Sequence, residues 1–297
     1  MTRRSSLPIA LTSSPFSVES ARETGVSAGR LRARDLRRPF RGVRVVDGVE
    51  VDSLLAYAVR MSPRAFFSHA SAARLWGFPL PRRLNAGPIH VCVVKPDRAP
   101  RMSGVAGHHC QPGSVSIVTH RGLRLSDPID TWCALSSQLS LDELVIAGDW
   151  LVKRKNPLAE LGELHERVAA FSGRPGACLL SVAATLVRAR TDSPRETLSR
   201  LALMRAGLPE PAVNFEIRDT EGRFVAFGDL AFSQYKVLVE YDGAQHREDE
   251  EQFHRDVNRL DDIMQLDWRV VRINKSHTKA QVVARATAAL RSRGWTP

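Results

Sequence analysis

The 297-residue sequence has no apolar run of about 18 residues, so no membrane-spanning helix is expected. Its four cysteines, Cys92, Cys110, Cys133 and Cys178, include no CxxC pair. Scattered cysteines in a chain of this length predict reduced, mostly buried thiols rather than a disulfide framework. No internal repeat and no low-complexity tract is found. The opening stretch MTRRSSLPIALTSSP has two arginines but too short an apolar patch for a signal peptide, which predicts a cytoplasmic protein. Also lacking is any positive excess in the last third. Residues 191–297 hold 16 Lys+Arg against 17 Asp+Glu, whereas residues 1–190 hold 27 against 15, so the net charge of +11 originates entirely upstream of residue 191. A basic segment suits a polyanion, nucleic acid before an acidic membrane; the plainer alternative is a solvated basic surface.

What is present is a globular composition, 43% hydrophobic, in a chain long enough for two or three domains. The stretch FSVESARETGVSAGRLRARDLRRPFRGVRVVDGVEV reads as a small unit over residues 1–50. Val18, Ala21 and Val26 suggest a short helix that stops at Gly25. Ser27 is a fair N-cap for a second helix carrying Leu31 and Leu36, ended by Pro39. Residues 40–46 then alternate, and Asp47–Gly48 is a hairpin signal. Helix, turn, helix and hairpin predict a winged helix. Arg30, Arg32, Arg34, Arg37, Arg38, Arg41 and Arg44 crowd its second helix and wing, where such modules meet DNA. The plain alternative is a helical cap with a wet basic face.

Residues 51–155 read as a mixed α+β middle region. AFFSHASAARLWGFPLP predicts a helix with Ser68 as cap and Gly77 as stop, IHVCVV a strand, and residues 126–155 two consecutive helices. His90, Cys92, His108, His109 and Cys110 match no compact zinc module in spacing, so structural roles are expected for them. Residues 156–190 read as connecting helices around SGRPGA.

Residues 191–297 give a clear order. SPRETLSRLALMRAGLP is a helix with Ser193 as N-cap, Pro194 at its first position and Gly207 near its stop. Three strands follow in AVNFEI, RFVAFGDLAF and YKVLVEYDG. A polar-faced helix spans REDEEQFHRDVNRLDDIMQL, WRVVRIN is a fourth strand, and 278–293 a last helix. The pattern is α-βββ-α-β-α, and the fold class is mixed α/β.

VLVEYDGAQH poses the chemical question: why do two carboxylates, Glu240 and Asp242, share a face of an apolar strand? The short turn at Ser233–Gln234 pairs the second and third strands antiparallel, which brings Asp229 close to Glu240. Like charges on an apolar sheet are costly unless a cation joins them. A hard divalent cation, Mg²⁺ or Mn²⁺, takes carboxylate oxygens, and phosphodiester cleavage is chemistry such an ion supports. Plainer readings exist for each residue. Ser193-x-x-Glu196 is also a capping box, Asp242–Gly243 a turn signal, Asp229 a turn start after Gly228 and Glu240 a strand end reaching water. His246 alone suits a surface histidine.

The pattern D-x10-E-x-D-G-x-x-H, with Asp256-x-x-Arg259 and WRVVRI, resembles the PD-(D/E)XK restriction-endonuclease-like superfamily over roughly residues 191–297, in the branch related to very short patch repair endonucleases. FRGVRVV and FFSHASAARLWGFPLP more loosely resemble AbiEi-type antitoxin-like winged-helix proteins. The first resemblance implies Glu196, Asp229 and Glu240 as metal-site carboxylates, with the main chain at Tyr241 as a further ligand. It implies Asp242, Gln245 and His246 lining the site, and Asp256 and Arg259 supporting it. The family's lysine two residues after the acidic position is absent, Asp242 standing there. Lys236, even-spaced from Glu240, is expected on the same strand, and His246 or Gln245 could orient the attacking water. The expected function is a metal-dependent DNA endonuclease with a basic docking arm; the alternative is a non-enzymatic, antitoxin-like DNA-binding regulator.

Overall fold

The computed structural model describes residues 6–242 and 259–297; the expectations placed on Gly243, Gln245, His246 and Asp256 lie outside them. The fold is mixed α/β. No helix among the described residues is long and apolar enough to cross a membrane. The chain divides into two compact units, Met1–Ala134 and Leu135–Pro297. Residues 135–155, grouped above with the middle region, and the helices of 156–190 thus belong to the same unit as the C-terminal strands.

The first unit begins with strand β1 (Phe16–Ser17), helix α1 (Val18–Glu23), β2 (Leu36–Arg37) and β3 (Val43–Val46), forming a sheet of order β1-β3-β2. Ser17 caps α1 by accepting from the Ser20 N–H, and Gly25 turns the chain at φ +84°. The second helix expected here does not form. Only a single 3₁₀ turn, Arg30–Arg32, is present, because Leu36 is drawn into β2 opposite Val46. The β2–β3 connection runs through Pro39 and Gly42 rather than Asp47–Gly48. Phe16, Ala21, Val26, Leu31 and Leu36 make its core. One helix, a 3₁₀ turn and three short strands therefore stand where two helices and a hairpin at Asp47–Gly48 were expected.

Four of the seven clustered arginines are bonded within this unit. Arg30 grips Asp35 with two 2.9 Å bonds, Arg44 donates to the Leu31 and Val43 carbonyls, Arg37 to Val49 O and Arg38 to Arg32 O. The Arg32, Arg34 and Arg41 side chains stand exposed.

Next come α2 (Ser53–Ala58), β4 (Ala65–Phe67), α3 (His69–Trp76), α4 (Arg82–Asn85), β5 (Ile89–Val94), β6 (Val105–Cys110), β7 (Ile117–His120), β8 (Leu123–Ser126) and α5 (Pro128–Leu135). The strands form a five-stranded sheet, β6-β5-β4-β8-β7. Ser68 and Gly77 bound α3 as expected, but Ala65–Phe67 is a fully buried strand rather than part of that helix. Burial and mutual repulsion hold two of this unit's imidazoles neutral at pH 7, His69 pushed down to about 3 and His90 to about 4.

The second unit opens with α6 (Leu141–Leu151), α7 (Leu161–Ala170), α8 (Ala177–Leu186) and α9 (Pro194–Arg205). Strands β9 (Ala212–Arg218), β10 (Phe224–Phe232), β11 (Val237–Asp242) and β12 (Arg269–Asn274) follow, with the described part of α10 at residues 259–265 and α11 (Lys279–Arg291) closing the unit. The sheet order is β12-β11-β10-β9, antiparallel except for β11 beside β12. One face packs Leu230, Phe232, Val237, Val239, Val271 and Ile273 with residues of α9 and α11. The other packs Ala231, Leu238 and Val270 with Ile263 of α10. A buried ion pair braces α6 to α9: Asp149 accepts from Arg200 at 2.9 Å, from Thr197 at 2.8 Å and from the Arg188 N–H at 2.7 Å. The α-βββ-α-β-α order read from the sequence is present from Pro194 onward, within the described residues.

Candidate functional site

The carboxylates gather where the apolar sheet loses its regularity. Along β10, Ala226 lies in the Leu238 cluster, Leu230 and Phe232 lie on the opposite face, and Ala231 returns to the Leu238 side. Strict alternation would put Ala226 and Leu230 together, so the pleat slips near Asp229. The same slip occurs in β9, between Val213 on the helix-packed face and Phe215 on the other. Asn214 supplies it by adopting φ +44°, a left-handed conformation that asparagine tolerates better than most residues. Gly228 is demanded here too. A Cβ at 228 would stand 2.4 Å from Leu238 Cδ1.

The register continued from Leu230↔Val239 sets Asp229 opposite Glu240, and Glu240 faces Arg272 across the parallel pair. At this level the β10–β11 ladder is carried by side chains. The Asp229 N–H donates to Glu240 Oε1 at 3.1 Å, and the Tyr241 N–H donates to Asp229 Oδ2 at 2.8 Å. Two main-chain donors are thereby satisfied by two carboxylates, Glu240 held by the Asp229 N–H and Asp229 by the Tyr241 N–H.

Glu196 completes the group from the first turn of α9. Ser193 accepts from the Glu196 N–H at 3.2 Å, which is half of the capping box. The Glu196 carboxylate reaches further, accepting from the Asp192 N–H at 2.9 Å and from Asn214 Nδ2 at 3.0 Å. Its side chain is buried, and burial pushes its carboxyl above the usual range. Asp229 is pushed up furthest, first by burial, then by the charges of Glu240 and of Glu196. These three carboxylates, widely spaced in sequence, share one electrostatic environment.

Cations flank them. Arg259, at the described start of α10, donates to Glu240 Oε2 at 2.8 Å and to Phe227 O at 3.0 Å. The guanidinium groups of Arg154 and Arg190 lie over the Phe227 ring, 4.5 and 5.6 Å from its centre. Asp242, on the Glu240 face, is paired with Arg272 at 2.9 Å. Lys236 stands elsewhere. It precedes β11 in a left-handed conformation, and its ammonium donates to Leu266 O at 3.0 Å. Four residues, about 13 Å, separate it from Glu240, and it precedes the strand it was expected to share with that residue.

The donor set is one of hard oxygens. Asp229 and Glu240 each accept hydrogen bonds and keep further lone pairs, and the Asp229 carboxyl is pushed up first by burial and then by the charges of Glu240 and Glu196. That chemistry fits a hard divalent cation. Sequence reasoning missed Asn214, which positions Glu196, and Arg272, which takes Asp242. Only the sheet register reveals either.

No protein-family model matches the chain, nor does any curated protein.

Proposed function

We propose that this protein is a metal-dependent DNA endonuclease of the PD-(D/E)XK kind, whose cutting site is the Glu196, Asp229, Glu240 group. The observation that carries this reading is the placement of the Asp229 and Glu240 carboxylates, held on the Tyr241 and Asp229 N–H groups, at the slip in an otherwise apolar sheet. Three carboxylates concentrated there, with Asp229 pushed up by burial and then by its neighbours, are costly for a purely structural role and useful for holding a divalent cation.

Asp229, Glu240 and the Tyr241 main chain would hold Mg²⁺ or Mn²⁺. Such an ion, when bound, polarises a phosphate and offsets the charge that develops in phosphodiester hydrolysis. Glu196, fixed by the Asp192 N–H and Asn214, keeps a third carboxylate beside Asp229. Arg259 holds Glu240 in a single orientation. Arg154 and Arg190, stacked on Phe227 and paired with Asp192 and Glu216, carry guanidinium groups that would exchange those carboxylates for the phosphates flanking a scissile bond. Water adds across a P–O bond and loses a proton. His246, in the segment after Asp242, is the base proposed to take it, and Gln245 can orient the water but not accept its proton. Arg32, Arg34 and Arg41 are proposed to hold the duplex through its phosphates, without a helix entering the major groove.

One observation favours a second reading. Arg259 already gives Glu240 a cation, and Lys236 is bound at the far end of β11. A site so neutralised also suits a DNA-binding regulator that has kept the nuclease shape without turnover. Supercoiled plasmid incubated with purified protein in Mg²⁺, in Mn²⁺ and in EDTA separates the two. Metal-dependent nicking or linearisation supports the nuclease, and binding without cleavage supports the regulator.

A further inference from the structure

We propose that His69, His90 and His108 form a binding site for a divalent transition-metal ion, zinc foremost, independent of the carboxylate site. Their ligand nitrogens all lie within 4.8 Å of one another. The three side chains arrive from three elements: the first residue of α3, the second of β5 and the fourth of β6. β5 and β6 pair in parallel with His90 opposite Ala106 and Cys92 opposite His108, so His90 and His108 share one face of the sheet. The rings stack, His69 on His108 at 3.9 Å and His90 near His108 at 5.1 Å between centres.

The nitrogens stand close enough to share one ion. His90 Nδ1 and His108 Nε2 stand 2.9 Å apart. His69 Nδ1 is engaged by Ser68 Oγ at 3.0 Å, which leaves its Nε2 for the other rings. A hydrogen-bonded outer nitrogen is how ligating imidazoles are oriented. Zn–N bonds of about 2.0–2.1 Å set ligand nitrogens roughly 3.4 Å apart in a tetrahedral centre, so the rings, now stacked at interplanar angles of 10–26°, must turn out of the stack to bring their in-plane lone pairs to one ion. His69 adopts φ +48°, a backbone state that a residue with a Cβ holds only under constraint, and this conformation delivers its ring to the cluster. His90 is buried while His69 and His108 are partly exposed, so an ion has a way in and a fourth position open to water. Three neutral imidazoles match zinc and its neighbours rather than Mg²⁺.

Cobalt(II) is the probe, as a coloured stand-in for zinc. Full-length untagged protein, stripped with chelator, is titrated with Co²⁺, then with Zn²⁺, alongside His108→Asn, His69→Ala and Asp229→Asn. The site predicts visible d–d bands saturating at one Co²⁺ per chain in wild type, bleached by Zn²⁺. It predicts the same bands in Asp229→Asn, and at least 10-fold weaker binding in both histidine variants, with far-UV circular dichroism unchanged in at least one of them. Wild type without such bands, histidine variants that bind as wild type does, or bands lost in Asp229→Asn would each overturn it.

Discussion

The Asp229 N–H donates to the Glu240 carboxylate at 3.1 Å, across the strand pair and at the point where the pleat of β10 slips. The Asp229 carboxylate in turn accepts from the N–H of Tyr241, the residue after Glu240, so both carboxylates are held on main-chain donors across the strand pair. The arrangement has an energetic signature. Burial, Glu240 and Glu196 push the Asp229 carboxyl well above its ordinary value. The folded protein therefore binds that proton more tightly than the unfolded chain does. Stability must fall as pH rises from about 4, the unfolded value, through the raised folded value.

Asp229→Asn removes this dependence. In EDTA, urea unfolding of wild type and variant at stepped pH from 4 to 8 should give a difference that grows with pH, the variant being the more stable at pH 8. Asp149, also pushed up by burial, slopes in the same direction in both proteins and cancels in the comparison, whereas Glu196, whose charge repels that of Asp229, is relieved in the variant and adds to the difference in the same direction. A pH-independent difference would contradict the assigned environment of Asp229.

The Asp149–Arg200 pair should matter for stability and not for chemistry. Both side chains are almost fully buried. Arg200→Met leaves Asp149 buried without its cation, which costs about 3–5 kcal/mol. The loss should be smaller at pH 5 than at pH 8, because Asp149, already pushed up by burial, protonates more readily once the guanidinium is gone. Chemical denaturation at the two pH values measures both effects. A loss below about 1 kcal/mol would show that the pair is not a brace.

How much of this was legible in the sequence differs by region. Ser193, Pro194 and Gly207 announced α9 because capping and turn chemistry are local. The Asp229–Glu240 pairing was legible because a short connection fixes the register of β10 and β11. The slip was not, since it depends on Asn214 adopting a left-handed conformation in a different strand. Strands β6, β7 and β8 went unread, being short and only partly buried, with weak alternation. The second N-terminal helix failed because Leu36 is worth more opposite Val46 than in an isolated helical turn. His69 escaped attention for a similar reason: nothing local ties it to His90 or His108.

The exposed arginines give a test of DNA docking that leaves the fold alone. Arg32, Arg34 and Arg41 replaced together by serine should weaken DNA binding in EDTA. The log–log salt slope should become shallower by about 2 to 3, at roughly 0.9 for each phosphate that is no longer neutralised. Arg44→Ser should instead lower stability, since Arg44 donates to Leu31 O and Val43 O. Fluorescence anisotropy over a salt series reads the slopes. An unchanged slope in the triple variant would place the docking surface elsewhere.

The most direct test of the central claim is cleavage of supercoiled plasmid by wild type, Asp229→Asn and Glu240→Gln, each assayed in Mg²⁺, in Mn²⁺ and in EDTA, with DNA affinity measured in parallel. The account predicts cleavage by wild type in metal only, none by either variant, and DNA affinity in EDTA within about 2-fold across all three, because these carboxylates hold a cation and not the duplex. Metal-independent cleavage, equal cleavage by the variants, or a wild type that binds DNA and never cuts it would contradict the assignment.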